Sequence, residues 1–109
     1  MMPIPIRFSL ADALATPPEA ARESVTLLSH GMLELRWYTP PDPDEQTPHS
    51  RDELYIVACG NAVFVRAGER VPCAPGDVLF VAAGVAHQFA HISPGFGVWV
   101  VFAGAGSDA

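Results

Sequence analysis

The stretch PHSRDELYIVACG, residues 48–60, sets His49 four residues ahead of Glu53 and then runs into a short apolar segment. In that segment Tyr55, Val57 and Cys59 alternate with Leu54, Ile56 and Ala58, and a period of two is the mark of a β-strand. A histidine and an acid at the mouth of such a strand are groups able to hold a metal or move a proton. Fully extended backbone would separate them by roughly 13 Å at about 3.3 Å per residue, too far for both to reach one ion through bonds near 2 Å. They can share an ion only if Ser50-Arg51-Asp52 turns, which the polarity of these residues allows; Arg51 and Asp52 then read as a solvated turn.

Working outward, the segment before His49, PPDPDEQTPH, carries four prolines and cannot sit inside a sheet, so it is a loop that delivers His49 to the strand. Ahead of it, VTLLSHGMLELRWYTPP reads as a hairpin turning at His30-Gly31. Leu33, Leu35 and Trp37 alternate there with Met32, Glu34, Arg36 and Tyr38, one face core and the other mixed. FSLADALATPPEAARE offers Ser9 as the cap of a short helix that must end near Thr16, before Pro17-Pro18. Downstream, NAVFVRAGERV, DVLFVAAG, AHQFAHI and GVWVVFAG are short, rich in β-branched or aromatic residues, and separated by Gly- or Pro-bearing turns. The expected fold is therefore all-β, a small sandwich or barrel. It occupies residues 24–104, after an accessory segment at 1–23 and before a frayed tail at 105–109.

At 109 residues the chain holds one core and no second one. Half of it is hydrophobic and 17% is charged, which excludes a disordered body. Six arginines, no lysine and a net charge of -6 argue against nucleic acid or an anionic membrane as partner. The missing lysines remove Schiff-base chemistry. No export signal and no apolar run of about 18 residues is visible, so the expected location is cytoplasmic. Cys59 and Cys73 then read as free buried thiols rather than a disulfide, with Cys59 deep in the core on the Glu53 face. Val98, Val100 and Phe102 against Trp99, Val101 and Ala103 repeat the two-sided apolar pattern. Something must cover the second face, and a homodimer packing sheet on sheet is expected.

The histidines are His30, His49, His87 and His91. His30 falls at a turn, facing solvent. His49 and His87 each open a strand after a Pro- or Gly-bearing turn, and if the barrel sets those segments side by side, His49, Glu53 and His87 converge. Phe89, between His87 and His91, suits a continuing strand with all three on one face, so that His87 and His91 cannot both ligate one ion. A zincin-type helix is excluded: Gln88 stands where the catalytic Glu would be, and Gly84 and Pro94 bracket the segment.

These residues resemble the two motifs of the cupin superfamily, G-x5-H-x-H-x(3 or 4)-E-x6-G and G-x5-P-x-G-x2-H-x3-N. The first is matched by His49, Glu53 and Gly60, the second by Gly76, Gly84 and His87. The chain departs from the pattern at Thr47 (its leading His), Pro41 (its opening Gly), Ala82 (its Pro) and His91 (its Asn). The resemblance implies a jelly-roll β-barrel holding a divalent metal at His49, Glu53 and His87, with Thr47, Gln46 or water completing the shell. Two imidazoles and a carboxylate accept Fe, Mn, Zn, Ni or Co. Tyr55 and Phe89 would point inward, joined by Trp37, as core or pocket wall, and His91 would stand around the ion or pack. The implied functions are a dioxygenase- or isomerase-type enzyme on a small organic molecule, a non-catalytic small-molecule-binding cupin, or an interaction subunit.

Overall fold

A computed structural model describes residues 4–16, 24–44 and 46–104; the expected tail at 105–109 lies outside them. Among the described residues, eight antiparallel strands follow one helix: α1 (Leu10–Ala15), β1 (Ser24–His30), β2 (Leu33–Tyr38), β3 (Asp52–Cys59), β4 (Ala62–Arg66), β5 (Glu69–Cys73), β6 (Val78–Val81), β7 (His87–Ala90) and β8 (Gly97–Ala103). They form a five-stranded sheet ordered β1-β2-β8-β3-β6 and a three-stranded sheet ordered β5-β4-β7. The fold is all-β, a small jelly-roll barrel.

The main core lies between the sheets, built from Tyr55, Val57, Phe64, Phe89, Phe96, Val98, Val100 and Phe102 with smaller neighbours. Period-two alternation puts these side chains on the inward faces. On β3, Glu53, Tyr55 and Val57 are buried while Asp52 and Leu54 are exposed. Helix α1 begins where expected: the Ser9 hydroxyl accepts from the Asp12 N–H at 3.1 Å, satisfying one of the donors a helix start leaves open. Its buried Ala13 packs with Val25 and Trp37 in a second cluster outside the barrel.

Three side chains depart from the expected faces. Trp37 does not join Tyr55 and Phe89; it belongs to the outer cluster and meets Trp99 edge-on at 5.1 Å. The inward residues of β2 are instead Glu34, Arg36 and Tyr38, in register with Phe102, Val100 and Val98. This polar face is tolerated because its charges pair. Arg36 bonds Glu34 at 2.8 Å, Ser24 and Thr26, and Arg51 reaches Glu34 at 3.0 Å. Arg51 is therefore no solvated turn residue, its guanidinium lying 4.6 Å from the Phe102 ring centre. Cys59, expected in the deep core, also packs against the outer cluster. The register slips between Val57 and Cys59, and a bulge of one residue moves everything after it to the other face. Both thiols are free.

Gly60 follows that bulge at φ +74°, and a β-carbon there would stand 2.6 Å from the Phe96 Cα. Only glycine fits a left-handed backbone pressed against another backbone.

Candidate metal centre

The site sits at the end of the barrel where the chain enters β3 and β7. Bends at Ser50 and Arg51 precede β3, so His49 folds back toward Glu53 instead of lying a strand's length away. The turn before β7 docks on the same segment: the Gly84 N–H donates to the His49 carbonyl at 2.7 Å, and the Ala83 N–H to Asp52 Oδ1 at 2.9 Å. These two bonds set His87 beside the His49–Glu53 pair.

His49, Glu53 and His87 each offer one ligand atom, and the three atoms lie within 4.8 Å of one another. Glu53 Oε1 is 2.9 Å from His87 Nε2 and 3.7 Å from His49 Nε2. The Glu53 and His87 side chains are closed off from solvent, whereas His49 is 21% exposed, so the site opens on the His49 side. Neither Glu53 oxygen has a hydrogen-bond partner of good geometry. The close approach to His87 brings the atoms together without aiming them at each other.

His87 Nδ1 stands 2.9 Å from the Val85 carbonyl. A carbonyl only accepts, so Nδ1 carries the proton and Nε2 is the atom turned to the site. Burial works against protonation of His87, but the Glu53 carboxylate and the Val85 carbonyl outweigh it and raise its pKa above the usual imidazole value. Tyr55 is driven the other way by the same setting. Burial, then the nearby Glu53 charge, hold its pKa well above the ordinary phenol value, and it keeps its proton. The Tyr55 hydroxyl donates to Gln46 Oε1 at 3.0 Å and lies 3.1 Å from His87 Nε2.

Of the other residues singled out in the sequence, Gln46 reaches the site, with Oε1 3.3 Å from His49 Nε2. Thr47 is exposed. Phe89 is plain core, stacked among Tyr55, Phe64 and Phe96 at 5.0 to 5.1 Å, which fills the barrel beneath the site. His91 is not in the barrel: β7 ends at Ala90, His91 takes φ +50°, and its exposed side chain borders a surface hollow with Asn61, Pro72, Cys73 and Asp77. His30 is exposed.

One residue escaped the sequence reading. Asp44 is 3% exposed and accepts from the Tyr38 hydroxyl at 2.6 Å, Gln46 Nε2 at 2.7 Å and the Phe89 N–H at 2.8 Å. An acid in a proline-rich loop carries no signal of burial; only the tertiary positions of Tyr38 and Phe89 create its partners.

A cupin domain profile matches residues 37–102, a span holding His49, Glu53 and His87. The chain belongs to the cupin family. It is 48% identical over 59 residues to an uncharacterised protein of Streptomyces coelicolor, a match covering 54% of this chain and 56% of that one, so it spans little more than half the length of this relative. Among solved structures, this cupin overlays a double-stranded β-helix domain protein from Klebsiella pneumoniae with TM-score 0.70 at 18% identity, covering 91% of this chain and 90% of that one. A predicted oxalate decarboxylase from Thermotoga maritima overlays with TM-score 0.58 at 22% identity, covering 73% and 77%. At these identities the two structures speak for the fold alone. No helix among the described residues is long and apolar enough to cross a membrane.

Proposed function

We propose that this cupin holds one divalent cation at His49, Glu53 and His87 and presents it to a small organic molecule entering on the His49 side. The observation that carries the reading is Glu53. Whenever His87 is neutral, a carboxylate shut away from water with both oxygens lacking hydrogen bonds is costly unless a cation meets it, and two imidazole nitrogens converge on the same place. The set suits Fe, Mn, Zn, Ni or Co. A bound ion would supply a Lewis-acid centre for an oxygen of the ligand.

The chain's own residues constrain that ligand. The aromatic stack beneath the site closes the barrel floor, so the molecule is compact. The Tyr55 oxygen, its proton given to Gln46 Oε1, offers an acceptor beside His87. As an enzyme the protein would be metal-dependent, of dioxygenase or isomerase type. The competing reading is a non-catalytic cupin that binds a metabolite, favoured by Thr47 at the place of the missing histidine.

Elemental analysis of protein purified without chelator tests the metal reading, with His87→Ala beside it. About one ion per chain, lost in the variant, is the expected result; a metal-free wild type that takes up none on titration overturns it. Dioxygen uptake with catechols, thiols and diketones separates the enzymatic from the binding reading.

We also propose that a second copy of the chain covers the outer face of the five-stranded sheet. There Leu35, Val101, Leu54 and Phe80 form one continuous row across β2, β8, β3 and β6, with Leu54 37% and Phe80 48% exposed. The row carries no charge in a chain whose net charge is -6, so two copies can meet there without like-charge repulsion.

A further inference from the structure

We infer that Gln46 is a fourth ligand of the cation site, binding through its side-chain oxygen, and that Asp44 is the residue that aims it. The inference rests on the metal reading above.

The orientation of the Gln46 amide is decided by its neighbour. Its Nε2 lies 2.7 Å from Asp44 Oδ2, and a carboxylate only accepts. The amide nitrogen must therefore face Asp44, which turns Oε1 toward the site. Asp44 is itself pinned from two strands, by the Tyr38 hydroxyl of β2 and the Phe89 N–H of β7, and is buried. The aim of the amide is thus fixed by the barrel wall and not by the loop that carries it.

An amide oxygen has two lone pairs. One takes the Tyr55 hydroxyl at 3.0 Å, and Oε1 also stands 3.3 Å from His49 Nε2. As a ligand, His49 Nε2 carries a lone pair of its own. Two such atoms face each other comfortably only with a cation between them.

The spacings fit. Donor atoms bound at about 2.1 Å are roughly 3.4 Å apart in a tetrahedral shell and about 3.0 Å apart when adjacent in an octahedral one. The separations here are 3.3 Å for Gln46–His49, 3.7 Å for His49–Glu53 and 2.9 Å for Glu53–His87. The competing arrangement is a plain hydrogen bond, with His49 Nε2–H donating to Gln46, which would take His49 out of the ligand set.

Calorimetric zinc titration of the full chain distinguishes them, run on wild type, Gln46→Leu, Thr47→Val, Asp44→Ala and the Asp44→Ala/Gln46→Leu pair. Far-UV circular dichroism and urea midpoints report whether each variant folds. Gln46→Leu is expected to weaken zinc binding at least about 10-fold, while Thr47→Val leaves it unchanged. Asp44→Ala should weaken it similarly, and the double variant should lose no more than either single one, which a merely structural Asp44 would not produce. A zinc-loaded crystal structure should place Oε1 about 2.1 Å from the ion, and it decides the matter if Asp44→Ala does not fold. Wild-type affinity in Gln46→Leu, or an oxygen more than about 3 Å from the zinc, overturns the assignment and leaves a three-residue site. Wild type that binds no zinc overturns the metal reading itself.

Discussion

Glu53→Gln separates what the carboxylate does for a cation from what it does for the fold. In the metal-free protein Glu53 lies 2.9 Å from His87, whose pKa is raised by that carboxylate and by the Val85 carbonyl against the effect of burial. While the ring is protonated, the attraction at that distance is about 6 kcal/mol for an effective dielectric constant of about 20. Against it stands a desolvation cost of several kcal/mol for each ion. The two nearly cancel, glutamine keeps the shape, and His87 sheds its proton once the anion is gone, so the metal-free variant should unfold within about 2 kcal/mol of wild type. Zinc should tell them apart. At free zinc about 100 times the dissociation constant, wild type gains about 2.7 kcal/mol. Loss of the anionic ligand should weaken binding at least about 100-fold, the upper end of what removing an outer hydrogen-bond partner costs a metal site. The gain then shrinks to about 0.4 kcal/mol. Urea unfolding with and without zinc measures both quantities. An undiminished zinc gain would refute the carboxylate as a ligand, and a metal-free loss above about 4 kcal/mol would show that it serves the fold instead.

The pH dependence follows from the raised pKa of His87. A group whose pKa is raised on folding stabilises the metal-free protein fully below the unfolded value of about 6.5, and this contribution fades as pH rises through the folded pKa. Ligation needs the neutral ring, so the zinc contribution runs oppositely, absent at low pH and growing above the raised pKa. Unfolding curves from pH 5 to 9 with and without zinc should therefore diverge as pH rises, and parallel curves would contradict imidazole ligation. Gly60→Ala places a β-carbon 2.6 Å from the Phe96 backbone at φ +74° and should cost at least about 2 kcal/mol in urea unfolding; a change under about 0.5 kcal/mol would count against the close approach. Sedimentation velocity at micromolar concentration should show a dimer that Leu54→Glu converts to monomer, and a wild-type monomer would end the proposal of a second copy.

The sequence showed the architecture well where backbone chemistry and side-chain period agree. On β3 the alternation of Glu53, Tyr55 and Val57 with Leu54 and Ile56 named the inward face correctly, and Gly60 marked the place where no side chain fits. It misled where hydrophobicity and direction part company. Leu33, Leu35 and Trp37 alternate along β2 as its apolar set, yet Glu34 and Arg36 face inward because Arg51 and Ser24 arrive from elsewhere to pair with them. A period-two reading cannot see a bulge, and so it puts Cys59 on the wrong side. His91 took the same error from a backbone turn to positive φ. Asp44 was invisible, since each of its partners beyond Gln46 is supplied by the folded barrel.

The turn before β7 is fastened to the segment before β3 by the Gly84 and Ala83 amides, and those strands belong to different sheets. Glu53 and His87 therefore stand on opposite walls, and a cation gripped by both would work as a rivet across the seam. Its arrival should slow amide hydrogen exchange on both walls together, including at strand positions that never touch the ion.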